Sequence, residues 1–165
     1  MQEINFKVLK LSKENLKFSS AHFLIFDENR AERLHGHNYR VRVEAKICWS
    51  DFADQGYGVD FTVLKKIIKD QVDLWDEMVL LPSMRKDMHF KKQDHLLELK
   101  FRDRYYVFPA NEVVLLPILN TSVELLSGLL SEIFWKSMSP LGVLGVRVQV
   151  EETLGQSAES AVGEF

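Results

Sequence analysis

Alternation of apolar and polar residues is strongest in HNYRVRVEAKICW. His37, Tyr39, Val41, Val43, Ala45 and Ile47 fall on one face of an extended chain, and Arg40, Arg42, Glu44 and Lys46 on the other. INFKVLKL and LKFSSAHFLIF read as two short strands, or one long hairpin, around a turn-like SKEN. The period then changes. Phe61, Leu64, Ile68, Val72 and Trp75 recur at helical spacing behind Asp60, a suitable N-cap. A second helix is predicted from TSVE, whose Thr121 and Glu124 have capping-box spacing, and it should bury Val123, Leu126, Leu130 and Ile133 or Phe134. Gly142 and Gly145 lead into a last strand, VLGVRVQVEET.

Residues from about 83 to 111 are less regular, and HLLELKF, RD and RYYVF predict a hairpin inserted between the helices. The segment 156–165 is small and polar and is expected to be a flexible tail, leaving one domain over 1–155. The order β-β-α-hairpin-α-β lacks regular βαβ alternation. It predicts an α+β fold with antiparallel pairing, helices on one face, and sheet edges open to self-assembly.

Composition narrows the class without naming a function. The 165 residues suit one domain, and 46% hydrophobic with 27% charged residues is ordinary for a globular protein. A net charge of −3 gives no electrostatic reason to expect nucleic acid or an anionic membrane as partner. The lone Cys48 excludes an internal disulfide framework and fits a reducing, cytoplasmic setting. No signal-peptide pattern and no membrane-length apolar run is present.

The candidate chemistry lies at the start of the alternating strand. His35 and His37 in LHGHNY point the same way if extended, at the end of the buried face. His22 shares a face with Phe18, Ser20 and Leu24 on an earlier strand that could pair alongside. Three histidines without a fourth protein ligand is the pattern of a catalytic zinc, because one position stays open. An H-x-H on a strand also arises by chance. In the last strand, Leu144, Val146, Val148 and Val150 place Glu152 on the apolar face, with Glu151 on the polar side. A carboxylate there is costly unless it is paired or reaches water.

FSSAHFL, LHGHNYRVRVE, GYGVDFTVLKKII, NTSVELLS and VRVQVEET together resemble the 6-pyruvoyltetrahydropterin synthase and 6-carboxytetrahydropterin synthase (QueD-like) family. The resemblance implies a tunnelling fold (T-fold), with a four-stranded antiparallel sheet and two helices on one face. It also implies a homo-oligomer assembled edge to edge, commonly a hexamer built as a dimer of trimers. His22, His35 and His37 match the family's zinc ligands, Glu152 the Glu that holds the pterin ring, and Ser122 a hydroxyl residue lining the pterin pocket. The implied activity is that of a zinc-dependent lyase on a dihydroneopterin or its triphosphate.

Two departures bear on mechanism. Where a Cys commonly stands four residues before HGH, the sequence has Ala31, which cannot act as a base. Where the family has Asp-His after the first helix, Asp76 is kept and Glu77 replaces the His. Glu32 matches an E-x-x-H-G-H variant associated with retro-aldol removal of the dihydroneopterin side chain, giving a hydroxymethyl-dihydropterin. Glu32, Asp76 and Glu77 are thus the catalytic candidates. Three readings stay open: a working lyase, a pterin- or purine-binding protein without turnover, and a structural assembly braced by zinc.

Overall fold

The computed structural model describes residues 5–165. Its organising element is β3 (His35–Cys48), 14 residues long. Along one edge it pairs first with β2 (Lys17–His22) and then with β1 (Phe6–Leu11), which the SKEN turn separates. Along the other edge it pairs antiparallel with β9 (Val143–Thr153), from Ile47 opposite Val143 to Arg40 opposite Glu151. The first residues of β3, His35 to Tyr39, therefore extend past the β9 ladder and pair only with β2. The histidines thus stand at a frayed corner of the sheet, where side groups from three strands can meet.

Helices α1 (Phe61–Asp73) and α2 (Val123–Met138) cover one face. Asp60 caps α1 by accepting the Thr62 N–H at 2.7 Å. Leu64, Ile68 and Val72 from α1, and Leu126, Leu130, Phe134 and Met138 from α2, pack with the apolar face of β3 and Val146, Val148 and Val150 of β9. Phe61 stays exposed and Trp75 is buried beyond the end of α1, so the helical stripe is shorter than its period suggests. The N-cap of α2 is Ser122, not Thr121; the Thr121 hydroxyl instead donates to the Phe23 carbonyl.

The α+β expectation, with two helices and a mostly antiparallel sheet, holds, but the sheet is wider than four strands. Two short strands, β4 (Met78–Pro82) and β8 (Val113–Leu116), extend it beyond β2 through parallel pairs. Runs such as MVLLP and VVLL are continuously apolar and lack the alternation that would have marked them. The inserted region is a three-stranded sheet of β5 (Met88–Gln93), β6 (Leu96–Phe101) and β7 (Arg104–Pro109), not a hairpin alone. It has a core of its own, in which Met88, Leu99 and Phe101 meet Phe23, Ile25 and Leu81.

The expected flexible tail is corrected too. Residues Gln156–Gly163 form β10, antiparallel to β9 and under α2. Its small residues suit that contact: Ser160 Oγ lies 2.9 Å from Ser127 Oγ, and a Cβ at Gly163 would meet the Leu144 carbonyl at 2.4 Å. Low apolarity there reflects close packing against a helix rather than looseness. Among the described residues, no helix is long and apolar enough to cross a membrane.

Candidate metal centre

The β2–β3 register sets His22 directly opposite His35, and the period of two brings His37 to the same face. One ring nitrogen from each of His22, His35 and His37 lies within 4.8 Å of the others. The rings are tilted or edge-on, at interplanar angles of 53°, 76° and 85°, so the nitrogens converge while the rings do not stack.

Backbone carbonyls orient two of the three. His22 Nδ1 lies 3.0 Å from the Thr121 carbonyl and His35 Nδ1 2.7 Å from the Arg33 carbonyl. A carbonyl only accepts, so each Nδ1 carries the proton and each Nε2 presents its lone pair. Burial holds the His22 imidazole below its ordinary value of 6.5, outweighing the opposing pull of the Thr121 carbonyl and the Glu152 carboxylate. His22 Nε2 is buried and lacks an aligned hydrogen-bond partner among the described residues, although Glu152 Oε1 is 3.1 Å away. A neutral, buried, unsatisfied Nε2 directed at two other imidazoles suits a metal ion, which would supply the missing partner.

Two carboxylates flank the cluster. Glu152 Oε1 is 3.1 Å from His22 Nε2 and 3.6 Å from His37 Nε2, and it accepts the Tyr39 hydroxyl at 3.1 Å. Burial first, and then Glu152, keeps the Tyr39 phenol far from ionising, so it remains a donor. The Glu32 carboxylate stands on the other side, Oε2 at 3.8 Å from His35 Nε2 and accepting the Leu24 N–H at 3.0 Å. As the period of the last strand predicts, Glu152 faces the histidines and Glu151 does not. Glu151 is nevertheless well buried, because it accepts the Gly155 N–H at 3.0 Å and pairs with Arg42 at 3.0 Å.

An open cleft of about 690 Å³ borders the cluster at His37 and Glu152. Glu77 is on its wall, with Ser19, Asn38 and Arg40. Glu77 takes a left-handed backbone (φ 58°) and its N–H bonds the Ser19 carbonyl at 2.7 Å. Asp76 is committed elsewhere: its Oδ1 accepts the Ser19 N–H at 2.7 Å, tying the segment after α1 to β2. Ser122 starts α2 and does not line this cleft. His89 and His95, in the inserted region, stand outside the histidine cluster.

Sequence reasoning missed Thr121 and Tyr39 as parts of the site. Thr121 orients His22 through its carbonyl, which any residue type would carry. Tyr39 reads as core, yet its ring packs edge-on against His22 and His37, with centroids 5.7 and 5.9 Å away, and its hydroxyl reaches Glu152.

Known proteins resemble this one in sequence or in fold. A protein 31% identical over 146 residues, covering 87% of this sequence and 88% of its own length, is a provisionally assigned 6-carboxy-5,6,7,8-tetrahydropterin synthase of Methanocaldococcus jannaschii. A Pyrococcus abyssi protein with the same provisional assignment is 30% identical over 144 residues, covering 87% of this sequence and 84% of its own length. The crystal structure of 6-pyruvoyl tetrahydropterin synthase from Plasmodium vivax (TM-score 0.86, 23% identity, 97% of this protein and 99% of that one) has the same fold. The family model for 6-pyruvoyl tetrahydropterin synthase matches residues 10–161, and the protein belongs to that family.

Proposed function

We propose that the protein is a zinc-dependent lyase acting on a dihydropterin with a hydroxylated side chain, dihydroneopterin or its triphosphate. The observation that carries this reading is the pair of carboxylates on either side of three converging imidazoles. His22, His35 and His37 would hold the ion, and zinc, when bound, supplies Lewis acidity toward the oxygens of the substrate's side chain.

The protein's own groups handle the protons. Breaking a C–O or C–C bond in the substituent of the pterin begins with removal of a proton from the adjacent carbon or hydroxyl. Ala31 offers nothing for that step, whereas Glu32 and Glu152 both stand within reach of the cluster. We assign Glu32 as the base. One oxygen is held by Leu24 N–H, which restricts the carboxylate to the side of His35. A glutamate is described as a catalytic residue in the Plasmodium vivax synthase, so a carboxylate in such a role has a parallel within the family. Glu152 lies where cluster and cleft meet and receives donor groups of the bound pterin. Glu77, on the cleft wall, is the second candidate for proton transfer, with Asp76 holding its turn in place. The open strand edges are consistent with a homo-oligomer, and a hexamer is the assembly proposed.

The test is product analysis. Zinc-loaded protein is incubated with dihydroneopterin and with its triphosphate, and the pterins are separated by chromatography. A new 6-substituted product whose yield falls at least about a hundredfold with Glu32→Gln supports the reading, the lower end of what a positioned base contributes. Pterin binding without any product above a Glu32→Gln, Glu77→Gln control would establish a binding protein instead.

A further inference from the structure

We propose that Arg104 of the inserted sheet is the positioning residue for Glu32, a role that rests on Glu32 acting as the base. Glu32 lies in the excursion between β2 and β3, a segment with little regular structure of its own. The bridge of Ile25 opposite Ala31, the Phe26 N–H to Arg30 carbonyl bond at 3.0 Å and the Glu32 N–H to Leu24 carbonyl bond at 2.8 Å close it locally, and the Asn120 side chain holds the Ile25 N–H and carbonyl. Further constraints come from the insertion. Arg104, the first residue of β7, spreads its guanidinium across two successive carbonyls. One N–H group donates to Glu32 O and the other to Ala31 O, the latter at 3.0 Å.

The fork is itself held. The Arg104 guanidinium lies 5.9 Å from the Phe23 ring centroid and 6.0 Å from that of Phe101, residues of the core joining the insertion to the main sheet. At the turn between β6 and β7, Arg102 donates to the Asp27 carbonyl at 2.6 Å. The insertion therefore grips the excursion at two places, and the grip nearer the histidines falls on the backbone of Glu32 itself. A planar fork restrains both position and orientation of two peptide units, which a lysine's single ammonium would not. The insertion acts on the site by fixing one carboxylate.

Two readouts test this. The first is a double-mutant cycle on turnover of the zinc-loaded protein. Arg104→Met should lower kcat about 10- to 100-fold, the scale set by small displacements of a reacting group, with KM and metal content unchanged. Arg104→Lys should recover part of the loss, and Arg102→Met should cost less than about threefold by the same scale. In a Glu32→Gln background Arg104→Met should have no further effect, whereas an equal loss there would overturn the proposal. The second readout needs no turnover. Leu24 N–H is bonded to the Glu32 carboxylate, so its hydrogen exchange reports where that carboxylate is. Arg104→Met should accelerate exchange at Leu24 and Glu32 at least about tenfold, and Arg104→Lys by less, while β3 amides keep their protection. Unchanged exchange at Leu24 overturns the positioning role even if the wild type proves to have no activity, and absence of wild-type product with accelerated exchange overturns only the catalytic reading.

Discussion

The Tyr39 hydroxyl donates to Glu152 Oε1 at 3.1 Å, joining the fully buried aromatic of β3 to the strand β9 at the edge of the histidine cluster. The bond links packing to site. Tyr39 also stacks on Phe18, with centroids 4.7 Å apart, so the ring is set by the core and the hydroxyl by the ring. Glu152 is consequently placed by groups that belong to the fold rather than to a loop.

Tyr39→Phe keeps the ring and removes the donor. Stability should fall by about 0.5–1.5 kcal/mol, the usual net worth of one hydrogen bond. Urea denaturation of metal-free protein measures it. Zinc content should stay stoichiometric, because none of the three histidines is touched.

Acid should weaken the metal-free fold through His22. Burial holds its folded-state value below 6.5, so the unfolded state takes up the proton first. The contribution is present above pH 6.5 and is lost as pH falls through the folded value. Denaturation midpoints of metal-free protein should decline as pH falls below 6.5, with a slope of at most about one proton's linkage, and His22→Gln should flatten that part of the curve.

A second acid-sensitive contribution comes from Glu151. The Gly155 N–H first, and Arg42 with Arg40 after it, hold its carboxyl below the ordinary 4.5. Its stabilisation is complete above that value and disappears as pH falls through the lowered one. Glu151→Gln should therefore remove an acid-limb loss below pH 4.5 that the wild type shows, with little change in its dependence at higher pH.

Deleting residues 156–165 removes a strand paired along β9 and packed beneath α2. Loss of solubility or a fall of several kcal/mol in unfolding free energy is expected, because β9 becomes a bare edge and α2 loses its floor. Wild-type-like unfolding of the truncated protein would restore the view of this segment as a tail.

That last segment shows where the sequence stops being legible. Its Ser, Ala and Gly residues carry no hydrophobic period, and their smallness makes sense only once α2 is seen lying on them. The parallel strands β4 and β8 were hidden for a related reason, being too short and too uniformly apolar to show a period. His35 and His37 were legible because a period of two puts them on one face, His22 joined them through the family resemblance, and Glu152 followed from the same count along β9. The tautomers were not, since Thr121 and Arg33 act through carbonyls that every residue has. Nor was the grip of Arg104 on residue 32, which joins positions 72 apart in the sequence.

The central claim is that His22, His35 and His37 hold one zinc with a position left open. X-ray absorption at the zinc edge on dialysed, zinc-loaded protein tests it most directly. One zinc per protein molecule is expected, with three imidazole nitrogens at about 2.0–2.1 Å, one further light ligand, and loss of the ion in His35→Ala. No retained zinc, a sulfur ligand in the spectrum, or full retention by His35→Ala would contradict it.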